Sequence, residues 1–212
     1  MTTLYASFNA VTNRNQAIEE GRGLYEMARS CLERIRTDLS AIYVELPPLY
    51  TPPDFDDPAD PYRFVGQEEI VGAESFSRLR FASQAHLPMG GETETGIAEI
   101  VYYVEPVDRF DSAYVLRRSD TAYPYDMEEF AMDEATDPIV CKGVESFQLS
   151  FIDQEGEART DWDSEEGILE YATPRAVKIE ITVSDEASSH AFSTTVPLPV
   201  YRKPLEGERE AS

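Results

Sequence analysis

Between Leu24 and Ile42 the apolar side chains fall at Leu24, Met27, Ala28, Cys31, Leu32, Ile35, Leu39 and Ile42. Steps of three and four residues place them along one side of an α-helix, so any fold of this chain must offer that stripe a broad apolar surface. Upstream the spacing continues more thinly through Leu4, Phe8, Val11 and Ile18, across a polar stretch from Thr12 to Glu20. Gly21 and Gly23 each weaken an exposed helix by roughly 1 kcal/mol relative to alanine. The pattern predicts one helix over about residues 4–42, with two helices meeting near Gly21 and Gly23 as the alternative. Such a helix is far longer than a typical globular one, and its first half asks for contacts from outside the domain.

Pro47, Pro48, Pro52 and Pro53 end the helical region by removing donors and restricting the preceding residues. Beyond the acidic turn-rich segment from Asp54 to Pro61 the period changes to two. Leu79 and Phe81 alternate with Arg78 and Arg80. Phe147, Leu149 and Phe151 alternate with Gln148 and Ser150, and Val177, Ile179, Ile181 and Val183 with Lys178, Glu180 and Thr182. Ile100 to Val104 is apolar on both faces, which predicts a strand sheltered by the helix, and Tyr114 to Arg118 is a further short run. Phe192, Thr194, Val196 and Leu198 close the series, paired with the preceding run as a hairpin across Asp185 to Ser189. The predicted class is α+β: a long N-terminal helix packed on antiparallel β-sheets, with the helix over about 4–42, a β-rich head over about 62–202, and a flexible acidic tail over 205–212.

Composition narrows function. Eighteen basic residues against forty-one acidic ones leave a net charge of −23, and the longest basic grouping is Arg117 with Arg118, so the chain offers no field for nucleic acid. No apolar run of about eighteen residues is present to cross a membrane. The two histidines, His86 and His190, lack the spacing of a metal site or triad and read as surface residues. No nucleophile elbow or phosphate loop occurs, and Met89 to Gly96 carries two glutamates where phosphate would bind. Neither catalytic, cofactor-binding nor metal-ligating residues are therefore assigned. Asp54, Asp56, Asp57 and Asp60 form one acidic cluster and Asp161, Asp163, Glu165 and Glu166 another around Trp162. They read as solvated loops, with calcium the alternative, although the second lacks the glycine and terminal glutamate of an EF-hand. Cys31 lies on the predicted inner stripe and Cys141 just before a core strand, so the two are either buried free thiols or a disulfide.

Several stretches, in this order, resemble one family. They are Leu32-Glu33-Arg34-Ile35-Arg36-Thr37-Asp38-Leu39; Phe64-Val65-Gly66 followed by Leu79-Arg80-Phe81-Ala82-Ser83; Val101-Tyr102-Tyr103-Val104 followed by Leu116-Arg117-Arg118; Gly143-Val144-Glu145-Ser146-Phe147; and Pro174-Arg175-Ala176-Val177-Lys178-Ile179-Glu180-Ile181. The chain resembles the soluble part of a J-type minor pseudopilin of the bacterial type II secretion system. The resemblance implies a pilin-like fold, with two sheets in the larger minor subunits, and a periplasmic head anchored in the inner membrane before assembly into the pseudopilus. Family members carry a prepilin cleavage site and an apolar anchor, neither visible in this sequence, which reads as a chain truncated after its membrane part and touching membrane only through that segment. The implied partners are other minor pseudopilins, especially the I-type and K-type subunits, at a tip that supports protein export across the outer membrane without catalytic turnover. On this reading Leu24, Ala28, Cys31, Leu32, Ile35 and Leu39 form the core face of the helix, and Leu4, Phe8, Val11 and Ile18 the assembly face. The competing class is an extracytoplasmic ligand-binding module, which would line a groove with Tyr62, Tyr114, Tyr123 or Tyr125.

Overall fold

Residues 23–40 form helix α1. Their sequence is rich in Leu, Arg and Glu, contains no run of β-branched residues, and gains Glu33–Arg36 and Arg34–Asp38 pairs across single turns. The helix ends by tightening: Ala41 N donates to both Thr37 O and Asp38 O, and Ile42 N to Leu39 O. The chain then passes straight into the sheet, with Ile42 bridged to Ser83 and Tyr43 N donating to Ala82 O at 2.8 Å. The computed structural model describes residues 23–53, 58–87, 96–107, 113–124, 132, 136–185 and 188–205, so the start of the expected helix lies outside the described residues.

The strands are β1 (Val65–Val71), β2 (Glu74–Ser83), β3 (Ala98–Pro106), β4 (Tyr114–Ala122), β5 (Ile139–Ile152), β6 (Ala158–Arg159), β7 (Trp162–Asp163), β8 (Ala176–Ser184) and β9 (Ser189–Pro197). Every pairing is antiparallel, and the described strands form one sheet in the order β7-β1-β2-β3-β4-β5-β8-β9, with β6 pairing β5. The fold is α+β and pilin-like, a helix packed on a curled antiparallel sheet.

The curl originates in β5. Its first residues pair with β4, from Arg117↔Ile139 to Tyr114↔Val144, and its remainder pairs with β8, from Val144↔Val183 to Ile152↔Ala176. The register shifts between Val144 and Ser146, next to Gly143 at φ +64°, where an added Cβ would lie 2.2 Å from Ser184 O. Such irregularities bend a strand and increase its twist. The far half of β5 thereby swings over β1 and β2: Leu149 N donates to Ser77 Oγ at 2.9 Å, and Gln148 Nε2 to Ser75 O at 3.0 Å. At the tightest point the Phe151 ring lies so close above Gly66 that a Cβ there would sit 1.9 Å from Phe151 Cζ. The two sheets implied by the resemblance are thus two lobes of one ladder, and β5 belongs to both.

The core lies between α1 and the concave side of this sheet. Leu24, Ala28, Cys31, Ile35, Leu39 and Ile42 meet Leu79, Phe81, Ile100, Tyr102, Leu116, Phe147, Ile179 and Ile181 in one cluster. The helix shelters the Ile100, Tyr102 and Val104 face of the third strand, and the opposite face is covered in another way. Alternation turns Val101 and Tyr103 away from the core cluster, yet both are buried. Around that other face Arg80 pairs with Glu99 at 2.5 Å, Arg117 with Glu105, and Tyr103 Oη donates to Asp137 Oδ2 at 2.9 Å. Arg80, which alternates with Leu79 and Phe81, is only 4% exposed.

Candidate assembly interface

The two sides of α1 have different fates. Leu24, Ala28, Cys31, Ile35 and Leu39 are buried, and Leu32 is partly buried against the same cluster. Tyr25, Arg29, Ser30, Glu33, Arg36 and Thr37 are exposed, and Tyr25 rests on Phe192 of β9 with ring centroids 5.6 Å apart. The outer side of this half is therefore polar and charged. Leu4, Phe8, Val11 and Ile18 lie outside the described residues.

What holds α1 to the sheet is more than its apolar stripe. Asp38 is completely buried at the last turn. Its Oδ2 accepts from Arg118 Nε at 2.6 Å and from Tyr102 Oη at 2.6 Å, while Arg34 reaches it from one turn earlier on the helix. Arg118 NH1 continues to Asp120 Oδ2 at 2.6 Å, and Asp120 Oδ1 meets His86 Nδ1 at 2.6 Å. Two guanidiniums thus face two carboxylates in a water-poor space, an arrangement that works because each buried charge has opposite charge and hydrogen bonds around it. Burial acts against the charged Arg118, but Asp38 and Asp120 outweigh it and hold its pKa above the ordinary arginine value. Burial and the Asp38 carboxylate together push the Tyr102 hydroxyl well above its usual range.

His86 corrects an expectation. Its side chain is 5% exposed rather than on the surface, because the turn after β2 folds it against Asp120. His190, near the start of β9, is exposed.

Cys31 and Cys141 are brought together. Both are 1% exposed, and both are free thiols. The Cys31 thiol hydrogen-bonds to the Cys141 sulfur, and this contact, with burial behind it, raises the Cys31 pKa far above the usual thiol value. One turn earlier on the helix, Met27 Sδ accepts from Lys142 N at 3.4 Å.

The acidic loops are partly tied to arginines. Arg63 Nε donates to Asp163 Oδ1 at 2.8 Å and lies 3.1 Å from Glu165 Oε2, while Arg202 NH1 meets Asp60 Oδ2 at 3.2 Å. Asp60, Asp163 and Glu165 therefore depart from the solvated reading: each lies against the body with a guanidinium as counter-charge. Asp161 and Glu166 are exposed, and Asp54, Asp56 and Asp57 lie outside the described residues. Among the described residues no group of three or more His, Cys, Asp or Glu side chains is placed to hold a metal ion. A cavity of about 280 Å³ is lined by Glu45, Tyr50 and Asp60 among others, but both Asp60 oxygens are engaged, by Tyr62 N and Arg202. Of the tyrosines named for a ligand groove, Tyr62 and Tyr123 form a row with Tyr43, whereas Tyr114 packs on Phe76. Tyr125 lies outside the described residues. No helix among them is long and apolar enough to cross a membrane.

A helix is thus sealed along one side to a curled antiparallel sheet, with a buried charge cluster at its last turn. The family model of type II secretion system protein J matches residues 6–194, all but the first five and last eighteen residues. The chain belongs to the type II secretion system protein J family. No curated protein matches it.

As a J-type protein the chain is a minor pseudopilin of type II secretion, interacting with other components of that machine, and is periplasmic or membrane-associated. The anchorage of its helix was only half visible in the sequence. Asp38 stands at the spacing 31, 35, 38, 42, inside the buried stripe, and that position was the available sign that the pseudopilin sinks a charge beneath its helix. The partners, Tyr102, Arg118, Asp120 and His86, come from strands and a turn whose packing no local pattern encodes.

Proposed function

We propose that this J-type pseudopilin joins I-type and K-type minor pseudopilins at the pseudopilus tip, with Leu4, Phe8, Val11 and Ile18 as the contact face of its helix. The head, about residues 62–202, hangs in the periplasm, and an inner-membrane anchor holds the subunit until it is assembled. The observation that carries this reading is the commitment of α1: its apolar side is consumed by the head and clamped there by Asp38, while its outer side carries charge. Lateral apolar contact then falls to the helix residues upstream. A second acidic subunit approaching a chain at −23 is repelled at long range, so the contact needs an apolar centre with a polar rim.

The test is mixing the purified chain with the I-type and K-type soluble domains of the same organism and measuring mass by size-exclusion chromatography with light scattering. A co-eluting complex of defined mass is expected. Phe8→Asp with Val11→Asp should weaken that complex while leaving the melting midpoint of the head unchanged. Ile35→Asp should damage the head itself. Failure of the wild-type set to associate at micromolar concentrations would sink the contact.

A further inference from the structure

We propose that Cys31 of α1 and Cys141 of β5 are a modification site, an oxidisable thiol pair whose disulfide staples the helix to the sheet. The two thiols are neighbours in the core, each perturbing the other's proton affinity. Neither is accidental filler at the rim: both belong to the central apolar cluster, and the Met27 contact to Lys142 fixes the helix and β5 against each other one turn away. The bond would join residues that stand 110 apart in the chain. Closing so long a loop constrains the unfolded chain strongly.

The chemistry is disulfide exchange, with glutathione disulfide or the disulfide form of a thiol oxidoreductase as oxidant. The thiolate of one cysteine attacks a sulfur of the oxidant's disulfide and expels one of its thiols. The thiolate of the second then attacks the mixed disulfide, forming the Sγ–Sγ bond and releasing the remaining oxidant thiol. The two electrons lost by the pair and its two protons end on the oxidant, now two thiols. Because both cysteines are 1% exposed, exchange takes place while α1 is undocked, during folding or a transient opening. Once closed, the bond is sealed from reductant by the same packing.

This inference rests on the periplasmic reading only for where in the cell the bond forms, so the experiment has two arms. In the first, the full chain is refolded in a glutathione redox buffer, digested without reduction and weighed. The expected product is a Cys31–Cys141 linked peptide, an intact mass lower by two hydrogens, and a melting midpoint on the order of 10 °C above that of the reduced protein. The Cys31→Ser, Cys141→Ser double variant should melt independently of reductant, which shows that the shift belongs to the bond. Free thiols after refolding, a bond between two chains, or a midpoint moved by less than about 2 °C would overturn the staple, since a strain-free bond of this loop length stabilises by several times more. In the second arm, cells making the full-length protein are quenched with acid and their thiols alkylated. Protection of both cysteines supports the bond in place. Alkylation of both, alongside bond formation in the first arm, would count against the periplasmic head and leave the chemistry of the pair standing.

Discussion

Arg118 Nε lies 2.6 Å from Asp38 Oδ2, joining the fourth strand to the last turn of the helix across eighty residues of chain, with both side chains closed off from water. Breaking one side of such a pair leaves the other charge buried without its partner. Asp38→Leu and Arg118→Leu are each expected to cost about 3–5 kcal/mol. The double variant should recover part of the loss. Urea unfolding of the four proteins measures this, and simple additivity of the two losses would show that the contact carries no coupling. Tyr102→Phe, which removes one donor to the same oxygen, should cost less, about 1–2 kcal/mol.

Ile35 and Arg36 are sequence neighbours on α1, one buried and the other exposed. Ile35→Ala is expected to cost about 2–4 kcal/mol through lost burial and the cavity left behind. Arg36→Ala, which loses only an exposed pair with Glu33, should stay within about 0.5 kcal/mol. Equal losses in denaturant unfolding would mean that the helix is not seated by its stripe.

Gly66 leaves no room above it. Gly66→Ala should destabilise by at least about 1–3 kcal/mol, because the intruding methyl meets the Phe151 ring rather than a flexible chain end. Adding Phe151→Leu should restore part of that loss. Thermal melts of the single and double variants decide, and a neutral Gly66→Ala would show that β5 does not close over β1.

Tyr102 and Tyr50 make the fold alkali-sensitive. Burial first, and for Tyr102 the Asp38 carboxylate next, raise both hydroxyls above the ordinary tyrosine value of 10.0, Tyr50 to about 12. In that window the folded chain holds protons that the unfolded chain releases, so this contribution is complete below pH 10 and fades as pH climbs through the folded values. The urea midpoint should therefore fall between pH 10 and 12. Tyr50→Phe should flatten that fall relative to wild type, and an identical slope in the variant would remove Tyr50 from the account.

The helix and the period-two strands were readable because each rests on a short-range rule: spacing of three and four for Leu24 to Leu39, alternation for Val177 to Val183. Strand β1 was not, since Gln67, Glu68 and Glu69 give it no apolar face, and its place comes from pairing with β2 and β7 and from the tight fit at Gly66. Buried charge was illegible for a related reason. Asp38, His86 and Arg80 look like surface residues until Arg118, Asp120 and Glu99 arrive from elsewhere in the chain. The acidic loops were misread where Arg63 and Arg202 close on them, because a counter-charge 100 or more residues away leaves no mark on local composition.

Arg202 gathers distant parts of the molecule at one point. It donates to Glu45 O just beyond the helix, to Tyr171 O and Ser164 O beside β7, and to the carboxylate of Asp60, with its guanidinium 3.3 Å from the centre of the Tyr50 ring. This residue follows the last strand, so its tie to the segment beyond the helix can form only after every strand between has been synthesised. A chain synthesised from its N-terminus offers its helix to the world before it has a head to hold it.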